Sequence, residues 1–325
     1  MIDVLSCFTF GVLGPVVVRG TTGQMPIREP RCRSVLAALL LYAGRTVAVP
    51  RLVELVWGDH PPATARKAVQ VYVSRLRRDL VGVTDVEVVT DPDGYRLDCA
   101  RERVDLHEFR RLVIESRRQD APDRRIRLLT SALGMWRGRA FADASPHGLR
   151  DWVAPGLEEE RLLVIEELYE ARLAGGSGPD LLAPLTALAA EHPLRERLTG
   201  LLMIALFRAG RVAEAARAFR ELHRRMVRET GLEPGPTLAA LHRQILVGAP
   251  HDPDVLRGSF TGLVTGDPGG LLDVAGRYLR DGDHDRAMAC YHLARALARD
   301  ADDLATSQLV TVAMDSAARR RGRNT

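Results

Sequence analysis

Apolar residues recur at helical spacing over residues 65–80, where Val69, Val73, Leu76 and Leu80 form one stripe. At roughly 100° per residue, Lys67, Val71, Ser74 and Arg78 point to the opposite side, with Gln70 and Arg75 on its shoulders. The stretch before it reads differently. Residues 8–18, FTFGVLGPVVV, are two short β-rich pieces broken by Gly14-Pro15, and residues 24–27 form a third. Residues 35–43, VLAALLLYA, are apolar on nearly every side, the pattern of a short buried helix that Gly44 ends. A short extended piece at 47–49 follows. Pro50 then opens a helix that sends Leu52, Val53, Leu55, Val56 and Trp57 into a core. Beyond residue 80, VEVVT and YRLDC flank Asp93-Gly94, which predicts a hairpin over 86–99.

Strands, three helices and a hairpin, in that order, predict a winged helix, whose third helix enters the DNA major groove. The polar face of residues 65–80 has the matching chemistry. Arg and Lys pair with phosphate or guanine, Gln with adenine, and Val touches a thymine methyl. An ordinary solvated charged face is the competing reading of that helix taken alone.

From residue 104 the strand pattern stops. Helical stripes run over 105–115, 121–136, 149–173 (with a break or kink at Pro155), 177–190 and 195–209. Over 193–229, Pro193, Leu202, Leu206, Gly210, Ala215, Phe219 and Leu222 fall at tetratricopeptide spacing. Such helix pairs offer extended faces to partners. The charge runs Arg117-Arg118, Arg124-Arg125 and 158–160 read either as solvated faces or as partner contacts. Residues 248–270 have linker composition. A second tetratricopeptide-like unit follows at 271–325, with Ala275, Tyr278, Gly282, Ala287, Tyr291 and Ala294 in register and a capping helix near 302–319.

Composition sharpens this picture. The 325 residues suffice for two domains and a smaller third piece, and 46% hydrophobic content allows packed cores. Aromatics at 5% disfavour a base-stacking single-strand binder. A net charge of +4 permits DNA binding without requiring it. Lys67 is the sole lysine among many arginines. Cysteines 7, 32, 99 and 290 lack metal-ligand spacing, and His284 and His292 lie two turns apart, so no metal is expected. The thiols suit a reducing cytoplasm, and the N-terminus lacks a signal-peptide pattern. No apolar run approaches a membrane span. Motifs for nucleotide binding, zinc proteolysis or serine hydrolysis are absent, so neither an enzyme nor a cofactor is expected.

FGVLGPVVV, the run from PRCRSVLAALLLYAG to SRLRRDL, and GYRLD together resemble the OmpR-type winged helix of the Streptomyces antibiotic regulatory protein family over residues 8–98. AFADA, EEERLLVIEELYEARL, the run from EHPLRERL to RELHRRM, and GLEPGPTLAALHRQIL resemble the bacterial transcriptional activation domain that follows it. The expected fold is mainly α with a small β component. It comprises a winged helix-turn-helix with leading strands over 1–100, a tetratricopeptide-like helical domain over 104–247, and the extension beyond it. Shorter family members end near Leu246, so the extension is a departure.

The resemblance implies a transcriptional activator of a secondary-metabolite cluster in the bacterial nucleoid. It would bind directly repeated double-stranded DNA as a head-to-tail dimer and recruit RNA polymerase holoenzyme, including its sigma subunit. It places Lys67, Gln70, Val71, Ser74 and Arg75 toward the groove, Arg77 and Arg78 on phosphates, and Gly94 and Tyr95 in the wing. Arg31 and Arg33, where the first long helix begins, either hold phosphate or are solvated. A repressor using the same winged helix and a tetratricopeptide-type ligand-binding scaffold are the alternatives.

Overall fold

The computed structural model describes residues 9–20, 23–176 and 178–247, scattered helical positions between 272 and 295, and residues 308–314. The chain opens with an antiparallel three-stranded sheet of β1 (Phe10–Gly11), β2 (Val17–Gly20) and β3 (Gly23–Met25). Helix α1 (Pro30–Leu41) starts earlier than its apolar run suggests, because Pro30 with its fixed φ sits in the first turn. Its residues from Ser34 to Leu41 are all buried. Strand β4 (Val47–Ala48) leads into α2 (Val49–Trp57), which Gly58 ends at φ +65°. Helix α3 (Ala65–Asp79) follows, then β5 (Glu87–Asp91) and β6 (Gly94–Asp98). The wing is a hairpin turning on Pro92-Asp93, widened to three strands because β4 pairs with β6. Val69, Val73, Leu76 and Leu80 are all buried, as the stripe predicts.

The helical region comprises α4 (Asp105–Arg117), α5 (Pro122–Leu133), α6 (Ala154–Ala174), α7 (Leu182–Glu191), α8 (Glu196–Arg208), α9 (Val212–Thr230) and α10 (Pro236–Val247). Pro155 marks a break between helical segments, not a kink within one. It stands in the first turn of α6, where its missing N–H costs nothing, and a wide turn at Leu149–Val153 precedes it. Gly210 at φ +72° turns α8 into α9, and Leu202, Leu206, Ala215, Phe219 and Leu222 fill the space between those helices.

The cores do not divide where the two resembled modules meet. One continuous cluster runs from Phe10 to Leu168 and joins the winged helix to α4, α5 and most of α6. A second, from Leu173 to Ile245, joins the end of α6 to α7–α10. Residues 137–145 dock along the N-terminal sheet. Arg137 N–H donates to Leu13 O at 2.8 Å, Phe141 N–H to Val12 O at 3.0 Å, and Ala142 N–H to Gly14 O at 3.2 Å. Phe141 holds φ +55° in doing so.

The acidic run on α6 is only partly exposed and is engaged by groups of this chain. Glu160 pairs with Arg110 at 3.0 Å, and Glu159 with Arg195 at 2.6 Å. Glu158 accepts the Ala140 N–H at 3.0 Å. Deeper in, Glu166 and Glu167 are each 1% exposed; Arg195 serves the first, while Arg117 and Arg125 serve the second. Of the basic runs, Arg117 and Arg125 are thus internal partners, and Arg124 pairs with Glu115 at 3.4 Å. Buried carboxylates require such partners, and here they lock α6 to α4, α5 and α8.

In the extension, Ala275, Ala287, Tyr291 and Ala294 form a small core with Val310 and Met314 of the final helical segment. This is the packing that the second repeat and its cap predict. Tyr278, Gly282, His284, His292 and the 248–270 linker lie outside the described residues, as do Cys7 and Cys290.

Candidate nucleic-acid interface

Helix α3 has two faces. Ala65, Val69, Tyr72, Val73 and Leu76 are buried, Tyr72 lying with its ring centroid 6.2 Å from that of Trp57. Lys67, Gln70, Val71, Ser74, Arg75, Arg77 and Arg78 are exposed, Val71 by 49%. Exposure of a β-branched residue amid cations and an amide gives this face a mix of hydrogen-bond donors and apolar surface of the kind base edges can take. Arg66 is exposed beside Lys67 and adds a cation that the stripe argument passes over.

Not every exposed cation here has the same freedom. Arg77 Nε donates to Val88 O at 2.8 Å and Nη2 to Thr90 Oγ1 at 2.5 Å, so this side chain fastens α3 to the wing. Its position beside the apolar stripe is the signal for that role. Arg75 pairs with Glu29, the residue just before α1, and its guanidinium carbon lies 6.0 Å from the Tyr72 ring centroid. Cys32 is beneath this pair; burial, then the Glu29 charge, push its thiol up to about 11, so it stays protonated.

Three of the remaining candidates, Arg33, Gly94 and Tyr95, are taken up by the scaffold. Gly94 is buried, and a Cβ there would stand 2.0 Å from Val47 O, so its small size is what lets β4 approach β6. Tyr95 is buried as well, leaving Pro92 and Asp93 as the exposed tip of the wing. Arg33 is neither solvated nor directed at an external phosphate. Its Nη1 donates to Ile27 O at 2.6 Å and Arg28 O at 3.0 Å, and its Nε to Asp143 O at 2.8 Å. The Asp143 carboxylate adds an ion pair at 3.2 Å. Arg31 remains exposed, with its guanidinium carbon 5.9 Å from the Trp57 ring centroid. The structure therefore gathers Lys67, Gln70, Val71, Ser74, Arg75 and Arg78 on one accessible face and assigns Arg33, Gly94 and Tyr95 to support.

Comparison with known proteins matches both halves. Residues 24–97 match the family described as transcriptional regulatory protein, C terminal, and residues 104–246 match the bacterial transcriptional activator domain. Regulatory protein DnrI of Streptomyces peucetius is 36% identical over 255 residues, covering 74% of this chain and 92% of DnrI. Transcriptional regulator RedD of Streptomyces coelicolor is 33% identical over 251 residues, covering 75% and 72%. Regulatory protein AfsR of Streptomyces griseus is 37% identical over 240 residues, 73% of this chain but 24% of AfsR, so this chain spans about a quarter of that relative. The solved structure of Mycobacterium tuberculosis EmbR, in complex with a low-affinity phosphopeptide, superposes with a TM-score of 0.71 at 30% identity. That match covers 79% of this chain and 70% of EmbR. These relatives are regulators rather than enzymes. The chain belongs to the Streptomyces antibiotic regulatory protein family of transcriptional activators.

Proposed function

We propose that this activator binds a directly repeated double-stranded DNA site sequence-specifically, through the exposed face of α3, upstream of a secondary-metabolite gene cluster. Two protomers bind head to tail on one face of the duplex, one per repeat. The helical region then holds RNA polymerase holoenzyme, including its sigma subunit, at the promoter. The place of action is the cytoplasm, at the nucleoid; among the described residues no helix is long and apolar enough to cross a membrane.

The observation that carries this reading is the division of α3, with Val69, Tyr72, Val73 and Leu76 inside and Lys67, Gln70, Val71, Ser74 and Arg78 outside. Lys67 and Gln70 supply donors for base edges, Val71 an apolar contact, and Arg78 a phosphate contact. Because the winged helix shares its core with α4–α6, a DNA-bound protomer carries its helical region in a fixed orientation, which suits presenting a surface to polymerase.

Footprinting with the full chain on its own gene cluster, followed by transcription with purified polymerase, tests the proposal. Inserting about five base pairs between the repeats should abolish activation, and inserting about ten should restore it, since a full turn returns both protomers to one face. Protection of a single unrepeated site, or repression of transcription from a protected promoter, would overturn it.

A further inference from the structure

Arg75 is held from outside its own helix. Its guanidinium pairs with the Glu29 carboxylate and stands beside the Tyr72 ring. Glu29 sits on the segment before α1, and that segment is itself pinned. Arg33 grips its Ile27 and Arg28 carbonyls from one side and Asp143 of the helical region on the other. Ser34, the next residue, accepts the Ser145 N–H at 2.9 Å, a second tie to the same loop. Pro26, Glu29, Cys32, Arg75, Arg78 and Asp79 line the cleft between this segment and the C-terminal half of α3.

We infer that Glu29 is a specificity-determining positioning residue, which orients Arg75 to read one base pair and withholds it from phosphates. The inference rests on α3 being the groove helix. A guanidinium presents five N–H donors in a planar fork. With one edge on a carboxylate, the other edge remains to span N7 and O6 of a guanine. The side chain is ordered before DNA arrives, so less freedom is lost on binding. A carboxylate at that point also offsets the charge of Arg75, which lowers its share in sequence-independent attraction to the backbone. Discrimination rises on both counts. Asp143, reaching the same segment through Arg33, makes the helical region part of the support.

The test uses the full-length chain as wild type, Glu29→Gln, Arg75→Ala and the double variant, each first checked for an unchanged thermal midpoint. Sites are selected from a random duplex library. Titrations then follow on the selected site, its single-base-pair variants and random DNA. Wild type should prefer guanine at one position in each repeat, and Arg75→Ala should lose that preference there alone. Glu29→Gln should weaken it at the same position by about tenfold or more, with binding to random DNA equal or tighter. The double variant should go no further than Arg75→Ala. If Glu29→Gln keeps the wild-type profile while Arg75→Ala does not, the inference is overturned and the α3 assignment stands. Uniform weakening at all positions by Glu29→Gln overturns it equally. A wild-type profile for Arg75→Ala overturns Arg75 as a base reader, and the inference with it.

Discussion

Arg137 and Asp105, both of the helical region, meet at 2.8 Å where that region abuts the N-terminal sheet, and Asp105 is wholly buried there. The Asp105 carboxylate also accepts the N–H groups of Val12 and Leu13, at 2.8 and 3.1 Å, while Arg137 donates to Pro15 O at 2.8 Å. One ion pair thus satisfies the turn between β1 and β2 from the side of α4. Removing Asp105 takes the carboxylate acceptor from two buried backbone donors and from the Arg137 guanidinium. Asp105→Ala is expected to cost about 3–5 kcal/mol. Chemical denaturation followed by circular dichroism measures it, and a change under about 1 kcal/mol would contradict the role assigned here.

His107, two residues further along α4, supplies a pH dependence. Its Nε2 lies 3.0 Å from Leu40 O, where the neutral ring donates. Burial, with help from the Arg110 and Arg101 charges, holds its pKa down at about 3. The unfolded chain, with an ordinary histidine near 6.5, therefore binds the proton more readily between those two values. Stability from this group is complete above about pH 6.5 and falls as the pH drops toward 3, by up to about 1.4 kcal/mol per pH unit. His107→Gln should flatten that part of the curve relative to wild type. Parallel curves for the two proteins from pH 7 to pH 4 would count against it.

Gly94 gives a third expectation. A methyl group there would collide with Val47 O and crowd Ala48, so Gly94→Ala should push β4 off the wing. A destabilisation of about 1–3 kcal/mol is expected from overpacking of this kind. DNA affinity should fall only as far as the folded fraction falls. Thermal melts set beside binding titrations separate the cases: lost affinity at unchanged stability would make Gly94 a contact residue after all.

What could be read from the residues followed the range of the interactions. The stripe Val69–Val73–Leu76–Leu80 is a local pattern, and burial followed it residue by residue. The hairpin was equally legible, since turn chemistry and β-propensity are short-range signals. Arg33 was not legible, because its partner Asp143 lies 110 residues away on a loop with no periodicity. The acidic run of α6 misled for the same reason: a helix charged on several sides looks solvated until Arg110, Arg117 and Arg195 arrive from other helices. Gly94 carried a correct turn signal, yet its burial depends on a third strand, β4, only two residues long. The shared core was hidden too, since Phe141 reaches the sheet through a backbone conformation that no propensity predicts.

The central claim, that the exposed face of α3 chooses the DNA site, is tested most directly by one set of titrations. Full-length wild type, Lys67→Ala, Gln70→Ala and Arg78→Ala would be titrated on a selected duplex and on random DNA at two salt concentrations. Lys67→Ala and Gln70→Ala should each lose about 1–3 kcal/mol on the selected duplex if their base contact is bidentate, with a smaller loss on random DNA. Arg78→Ala should weaken both duplexes alike and reduce the salt slope by about one ion's worth. Equal binding by all four proteins at both salt concentrations would contradict the assignment of α3 as the recognition helix.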